Sequence, residues 1–326
     1  MNNGYEIVYK KNDDKRFWKL FEFIKLKNPK IGSVYHPVIL DYYFIRACES
    51  GYQIEDFSCV FTYNDVPFSA FVGAKFSKGL QSELNLFELP CLAIDLNDIS
   101  LSKKRQIKSF LKVLLKLDLN KIQVKGPDFR SKIPILCEFL LSQTKFRLKP
   151  STTRIIDLSQ SEVYLKRAIR KSYHSLINWG LNSMEIEIHD SSNIKWSTIE
   201  GFRDLHINAA KRETRSIDTW NKQFEAISTG LAFCITAKLD KELVSAAYFL
   251  CPDSICYYGS SASRRDLFDK PLSHSIIWKA ILESKRRGDS LFNIGSTYEY
   301  KFKNLASDKE KNIAYFKEGF GGNLVL

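Results

Sequence analysis

The sequence predicts an α/β protein made of two similar halves, each with a mixed, mostly antiparallel, twisted sheet flanked by helices. Three observations support this prediction. A β-hairpin pattern occurs once in each half, a pair of helices precedes each hairpin, and a further strand and a long helix follow it. The chain has 326 residues, 44% of them apolar, which is enough for a hydrophobic core in each half.

The two hairpins share a pattern of alternating apolar strands around a short polar turn. The strands are predicted at 57–63 and 68–76 in the first half, and at 233–239 and 242–250 in the second. A single offset aligns the turn residue Asn64 with Asp240 and also aligns Ser69 with Ser245. This weak but consistent repeat indicates an internal duplication.

The helices predicted around the hairpins have comparable lengths in the two halves. They lie at 15–27, 37–50 and 102–117 in the first half, and at 161–169, 171–181, 196–212, 219–228 and 271–287 in the second. A polar stretch near 154–160 predicts the link between the halves. We therefore expect two domains, residues 1–157 and 158–326.

Composition excludes several classes of protein. The N-terminus does not have the layout of a signal peptide, and no apolar run is long enough to span a membrane, so we expect a cytoplasmic protein that does not bind membranes. The cysteines are odd in number and predicted to be reduced and buried: Cys48, Cys59, Cys91, Cys137, Cys234, Cys251 and Cys256. A proline turn separates Cys251 from Cys256, and no histidine pair follows at zinc-finger spacing, so no metal is expected.

The formal net charge of +12 is concentrated in one stretch. Residues 101–154 contain 14 Lys and Arg residues against three Asp and Glu residues. This stretch is either a solvated surface or a face for an anionic partner such as a diphosphate or tRNA. The sequence contains no helix-turn-helix, zinc-finger or aromatic RNA-binding pattern, so sequence-specific DNA binding is not expected.

The segment after residue 255 has features of a phosphate-binding turn. A strand at 255–258 leads into the small residues 259–263, then Arg264 and Arg265, and a helix predicted to open at Pro271. The free N–H groups of such a helix, next to two arginines, suit a pyrophosphate. An ordinary strand-to-helix turn explains the same pattern. Near the C-terminus, two aromatic residues around Lys317 and a glycine pair predict a tightly packed helix end.

These segments together resemble the FemAB-type branch of the GNAT acyltransferases. The resemblance rests on Tyr257-Tyr258-Gly259-Ser260-Ser261, the helix 271–287 with Trp278, Phe292-Asn293-Ile294-Gly295, the tail 316–322, the basic turn within 205–219 and, more faintly, Ala93-Ile94-Asp95. It implies two tandem GNAT-like domains, with the acyl-donor site in the second. It also implies transfer of an acyl group from a carrier to an amine.

The length and the lack of a coiled-coil arm favour members that use acyl-CoA, with coenzyme A as the only cofactor. Their acceptor is a nucleotide-linked amino sugar, such as a dTDP-amino-dideoxyhexose, used for surface polysaccharides including the O-antigen of lipopolysaccharide. The first alternative is an aminoacyl-tRNA-dependent transferase that builds a peptidoglycan bridge. The second is a non-catalytic anion-binding protein with the same fold.

The resemblance also implies roles for individual residues. The predicted catalytic residues are Asp95 as general base, Tyr258 as a group that donates a proton or bonds the acceptor, and Lys317 as a cation near the acyl carbonyl. The predicted acceptor-binding residues are Lys211, Arg212, Arg215, Tyr257 and His206; those for coenzyme A are Gly259, Ser260, Arg264, Arg265, Ser273 and His274. Backbone N–H groups at 257–260 are expected to hold the oxyanion. The family usually has Asp where this chain has Asn293, so no acid–base role is assigned there. His206, His274 or the substrate itself remain alternatives to Asp95 as the base.

Overall fold

The computed structural model describes residues 4–28, 31, 33–87, 89, 91–95, 99–125, 138–139, 142, 153–252, 254–296 and 307–325. The chain forms two compact units, residues 1–148 and 149–326. No helix within the described ranges has the length and apolar character needed to cross a bilayer.

The described part of the first unit contains three α-helices and nine strands. In chain order they are β1 (Tyr5–Tyr9), α1 (Asp14–Lys27), α2 (Pro37–Glu49), β2 (Gln53–Asp56), β3 (Cys59–Tyr63), β4 (Val66–Val72), β5 (Ala74–Lys78), β6 (Gln81–Asn85), β7 (Cys91–Asp95), α3 (Leu101–Leu115), β8 (Lys121–Ile122) and β9 (Val124–Lys125). One sheet has the order β1-β3-β4-β7-β9, antiparallel except for the parallel pair β7 and β9. A second sheet has the order β2-β5-β6-β8.

The helices of the first unit begin where the sequence supplies caps. The side chains of Asp13 and Ser100 accept hydrogen bonds from the first turns of α1 and α3, and α2 opens on Pro37. Helix α3 then packs its apolar face on the five-stranded sheet. The ring of Phe110 lies edge-on to Phe61 and Phe71, both at 5.4 Å between centroids, and this contact forms the centre of the core.

The described part of the second unit contains six α-helices and seven strands. They are β10 (Thr153–Asp157), α4 (Glu162–Ala168), α5 (Lys171–Ser183), β11 (Glu185–His189), α6 (Trp196–Ala210), α7 (Ile217–Ser228), β12 (Ala232–Leu239), β13 (Glu242–Leu250), β14 (Ile255–Ser263), α8 (His274–Arg286), β15 (Leu291–Ser296), α9 (Asp308–Glu318) and β16 (Asn323–Val325). The sheet order is β11-β12-β13-β14-β15-β10-β16, and only β14 and β15 are parallel neighbours.

Helix α8 forms the centre of the second core. Its residues Ile276, Ile277 and Ile281 are almost fully buried together with Phe233 and Phe249 of the sheet. The apolar spacing that predicted this helix therefore identifies the face that meets the sheet.

The two units repeat the same five-strand order, as the sequence repeat predicted. Strands β1, β3, β4, β7 and β9 correspond to β11, β12, β13, β14 and β15, and each set ends in a parallel pair. Both hairpin turns have two left-handed residues, with φ 47° and 60° at Asn64 and Asp65, and 52° and 68° at Asp240 and Lys241. This is the turn that matches the natural twist of a hairpin.

A second shared feature lies just before each turn. The strand register shifts between Phe61 and Thr62 in the first hairpin and between Ala237 and Lys238 in the second. These positions are related by the offset that aligns Asn64 with Asp240. Since β-bulges tend to be retained within related folds, this coincidence supports the duplication.

Four segments differ from the sequence-based expectation. The predicted link at 154–160 is largely β10, which pairs with β15 and β16, and the two units divide at 148. The predicted strand 68–76 divides at Gly73, where the chain passes from one sheet to the other. The small-residue segment 259–263 is the continuation of β14, because its backbone pairs with β13. Helix α8 begins at His274, since a turn at Pro271 precedes it.

Candidate active site

Strands β14 and β15 run side by side over only part of their length. They pair over three residues, ending with Tyr257 opposite Asn293, although both strands continue. On its other edge β14 stays paired with β13, and a register shift leaves Gly259 as an extra residue between Tyr258 and Ser260. The backbone of β14 therefore parts from β15 close to a β-bulge, a feature that is frequent beside active sites.

Lys317 lies against β15 just beyond this parting. A Cβ built on Gly295 would lie 2.7 Å from Nζ of Lys317, so the amine occupies the space that a side chain at position 295 would fill. Gly295 has φ +95°, a left-handed conformation that favours glycine. Burial lowers the pKa of Lys317. The lysine predicted from the resemblance is thus partly buried and held over the strand that leaves β14.

The end of α9 that carries Lys317 is fixed by the connection between α4 and α5. The backbone N–H of Arg170 donates to the carbonyl of Gly319 (2.8 Å), and its Nη2 donates to the carbonyl of Tyr315 (3.2 Å). The hydroxyl of Tyr173 donates to the carbonyl of Phe316 (3.3 Å). These donors satisfy carbonyls that a helix end leaves unpaired. Sequence reasoning missed both Arg170 and Tyr173, because only the tertiary structure brings them to α9.

Two polar contacts surround the bulge on β14. The hydroxyl groups of Tyr258 and Ser261 lie 2.5 Å apart, the Tyr258 ring stacks on Phe249, and burial raises the pKa of Tyr258. Buried Gln223 of α7 donates from Nε2 to Oγ of Ser260 (3.4 Å), while its Oε1 is buried and has no partner among the described residues. Gln223 was not predicted. The sequence feature that could have identified Gln223 is the position of a glutamine on the buried face of an amphipathic helix.

The predicted basic turn joins α6 to α7. Lys211 ends α6 in a left-handed conformation (φ 57°), and Arg212 is exposed. Arg215 is partly buried, with its guanidinium carbon 5.5 Å from the ring centre of Trp220. Nε and Nη1 of Arg215 are buried and meet no acceptor in the part of the chain that the structure describes. A desolvated guanidinium of this kind favours an anionic ligand.

The two histidines that are alternatives to Asp95 as the general base lie in different places. His206 of α6 has Nδ1 3.1 Å from the Thr214 hydroxyl and its ring 5.6 Å from Trp220, so it belongs to the basic turn. His274, at the start of α8, packs edge-on against Tyr173 at 4.5 Å, and burial lowers its pKa. Burial thus disfavours the positively charged form of His274.

A cleft of about 490 Å³ opens beside the end of α6, between Lys211 and the two arginines that follow β14. Arg264 is already engaged, since its guanidinium bonds to the carboxylates of Glu242 and Asp266. Arg265 donates from Nε to a backbone carbonyl of α6 (3.1 Å). Lys211 also has an acidic neighbour, since its charge contributes to lowering the pKa of Asp266, which lines the same cleft.

The N-terminus of α8 is not capped by its own side chains. Ser273 occupies the capping position, but its Oγ lies 3.1 Å from Oγ of Ser263, the last residue of β14. A helix leaves the N–H groups of its first turn without intrahelical partners, although the N–H of His274 donates to the carbonyl of Pro271 (3.3 Å) in the preceding turn. The helix end predicted to bind a phosphate thus lies against the end of β14, three residues later than expected.

Asp95 is the last residue of β7, opposite Ser69, in the first unit. Every other predicted site residue lies in the second unit. Within that unit, one strand carries the segment from Tyr257 to Ser260, and Lys317 lies beside the neighbouring strand.

No protein-family model and no curated protein matches the chain. Solved structures do match. FemX has a TM-score of 0.58 at 12% identity, over 86% of this chain and 88% of FemX. A tandem GNAT protein from the clavulanic acid biosynthesis pathway has a TM-score of 0.53 at 12% identity, over 98% of this chain and 96% of that one. The C-terminal domain of a putative lysylphosphatidylglycerol synthetase from Agrobacterium fabrum has a TM-score of 0.55 at 10% identity, over 78% of both chains. With the repeated strand order, these similarities show that the chain has a tandem GNAT-like fold, which it shares with FemX.

Proposed function

We propose that the second unit is the catalytic unit of an N-acyltransferase, which moves an acyl group from a carrier to an amine. One observation carries the proposal: β14 parts from β15 beside the bulge at Gly259, and the amine of Lys317 lies over β15 just beyond the parting. We therefore propose that backbone N–H groups of β14 line one side of this opening and the protonated amine of Lys317 the other. Both stabilise the negative charge that develops on an attacked carbonyl.

The chemistry follows from these groups. The carbonyl carbon of the donor is attacked by a neutral amine, the oxyanion is held by N–H groups at 257–260, and Lys317 stabilises its charge as a cation. Tyr258 protonates the leaving group: like any tyrosine, it carries its proton at neutral pH, and burial raises its pKa further. Asp95 is the proposed base, as the resemblance implies, with transfer of the proton to the substrate as the alternative.

We propose acyl-CoA as the donor and a nucleotide-linked amino sugar as the acceptor. The uncapped start of α8, with Ser273 and His274, and the cleft lined by Arg265 suit the pyrophosphate of coenzyme A. Arg215 against Trp220 suits the diphosphate of the acceptor, since its buried Nε and Nη1 lack acceptors among the described residues. Both substrates are water-soluble, in accord with a proposed location in the cytoplasm.

A second candidate is transfer from aminoacyl-tRNA to a cell-wall precursor. It is favoured by the net charge of +12 and by the similarity to FemX. Anion binding without catalysis is the third candidate. The three candidates differ in the ligands they bind, so they can be separated before any turnover assay.

Calorimetry with coenzyme A, a dTDP-amino sugar and tRNA distinguishes the candidates. Micromolar binding of coenzyme A supports the proposal. The tRNA-dependent candidate requires tRNA binding that weakens steeply as salt rises, without coenzyme A binding. Binding of pyrophosphate alone, with no turnover of any acyl-CoA, supports the third candidate.

A matched pair of lysine variants tests the site itself. Lys317→Ala should lower kcat for a confirmed substrate, because it removes the cation beside β15. Lys309→Ala is the control, since Lys309 is exposed on the same helix. Equal activity of both variants would remove Lys317 from the active site.

A further inference from the structure

Two thiols and a carboxylate meet at the end of the second sheet, where β14 and β15 begin. The Sγ atoms of Cys251 and Cys256 and a carboxylate oxygen of Asp289 all lie within 4.8 Å of one another. Cys256 is fully buried, and the other two side chains are partly exposed. We call this group the Cys251–Cys256–Asp289 cluster. The sequence indicated only the two cysteines of this cluster, because Asp289 lies beyond α8 in the chain.

Backbone contacts hold the three segments of the cluster in place. The last paired residues of β13 and β14 are Leu250 and Tyr257, which puts Cys251 opposite Cys256 in the same hairpin. The carbonyl of Ser254 in the turn accepts hydrogen bonds from the N–H groups of Ser290 (2.8 Å) and Leu291 (3.2 Å). Asp289 is therefore tied to the hairpin through its neighbour in sequence, and the three side chains are brought together before any ligand binds.

One oxygen atom of the cluster is buried without a partner. Oδ2 of Asp289 accepts no hydrogen bond from the described residues, although the Cys251 thiol interacts with the Asp289 carboxyl group and with Cys256. Arg287 lies nearby, but its Nη2 donates to the carbonyl of Gly230 (3.1 Å), and no salt bridge joins it to Asp289 in the described chain.

We propose that Cys251, Cys256 and Asp289 bind one zinc ion, with a water molecule as the fourth ligand. Two thiolates and one carboxylate are ligands that suit zinc and disfavour magnesium or calcium. Zinc–sulfur bonds of about 2.3 Å in a tetrahedral site place two sulfur atoms roughly 3.8 Å apart, and the two sulfur atoms here lie within 4.8 Å of each other. The partial exposure of Cys251 and Asp289 leaves a side open to water.

Charge balance supports the assignment. Binding releases the two thiol protons to solvent, together with the carboxyl proton when it is present. Zinc with two thiolates and one carboxylate carries a net charge of −1, which the guanidinium of Arg287 neutralises. The bound ion would connect the β13–β14 hairpin to the start of β15. It would therefore fix the parallel pair of strands at the end opposite to their parting.

Zinc titration of the full chain, stripped with a chelator, tests the proposal. We expect one equivalent of zinc to bind in competition with a chromophoric chelator, and the partly exposed thiol of Cys251 to become protected from a thiol reagent. Cobalt in place of zinc should give thiolate charge-transfer bands and the visible bands of a tetrahedral site. Cys256→Ser and Cys251→Ser should each lower zinc affinity by about 100-fold or more, since even outer-shell changes cost about 10–100-fold.

Two further variants distinguish loss of a zinc ligand from misfolding and from the loss of an unrelated thiol. Asp289→Asn preserves shape and should weaken zinc binding with the near-UV circular dichroism unchanged, which excludes misfolding as the cause. Cys48→Ser changes an exposed thiol in the first unit and should leave zinc binding intact. The proposal is overturned if the wild-type chain binds no zinc, if both cysteine variants bind it as well as the wild type does, or if oxidised glutathione forms a Cys251–Cys256 disulfide in a chain that binds no zinc.

Discussion

The position of Lys317 can be tested by a change in a different residue, Gly295→Ala. The added Cβ would lie 2.7 Å from Nζ, whereas ordinary contact begins at 3.4 Å, so the amine must retreat by about 0.7 Å or more. A misplacement on the order of 1 Å can cost roughly 100-fold in rate. We therefore expect kcat for a confirmed acyl acceptor to fall by about 10-fold to 100-fold.

The same substitution also carries a backbone cost, and Gly288→Ala is the control for it. Gly288 has φ +88°, close to the +95° of Gly295, but no atom lies within 4 Å of an added Cβ. A left-handed non-glycine residue costs about 1–2 kcal/mol. For a domain of about 150–250 residues this lowers Tm by roughly 2–8 °C. Both variants should show this loss, because the Lys317 side chain can move aside without further strain.

The assay combines thermal unfolding, turnover and the pH dependence of Lys317 labelling by an amine reagent, read by mass spectrometry. Both alanine variants should lose similar stability, and only Gly295→Ala should change turnover and Lys317 reactivity. Equal turnover and equal Lys317 labelling in the two variants would show that the position of the amine does not depend on the space above Gly295.

Three other predictions concern single side chains. Lys317→Met should be more stable than the wild type at neutral pH, as measured by urea unfolding. The pKa of Lys317 is lowered in the native state, so between that pKa and the ordinary lysine value the unfolded chain binds more protons, and wild-type stability rises with pH while that of the variant does not. Parallel pH profiles of the two proteins would contradict this. Tyr258→Phe removes the hydroxyl beside Ser261 and should lower kcat while leaving the fold intact by circular dichroism, so unchanged kcat would exclude Tyr258 as the proton donor. Arg265→Ala should weaken coenzyme A binding in calorimetry more than Arg264→Ala does, because acidic partners already occupy the guanidinium of Arg264. The reverse order would show that these exposed ion pairs open for the ligand.

The fold was predictable where local chemistry decides the structure. Asn64 with Asp65 and Asp240 with Lys241 adopt the left-handed turns typical of hairpins, so both hairpins follow from short sequence patterns. The expected start of α8 at Pro271 was three residues early. Proline suits the first helical position, but here a turn precedes the helix, and the contact between Ser263 and Ser273 links the helix start to β14.

The candidate site was predictable only in part. Lys317 stood out because aromatic and glycine residues surround it in the sequence. Its anchoring by Arg170 and Tyr173 could not be inferred, since these residues lie about 145 positions away and act through backbone carbonyls. Gln223 likewise could not be assigned to the site from the sequence, because only its hydrogen bond to Ser260 places it there. Long-range hydrogen bonds of this kind leave no periodic trace in a sequence.

The shared geometry of the two hairpins creates a hazard during folding. A chain with two copies of one supersecondary unit can pair a strand of one copy with the sheet of the other, which is a characteristic failure of repeat proteins. Pro67 occupies the place in β4 that Leu243 occupies in β13, by the offset that aligns Asn64 with Asp240. Proline has no N–H, so β4 has one backbone donor fewer than β13 at this aligned position. The two copies of the hairpin therefore differ in what they can offer to a neighbouring strand there.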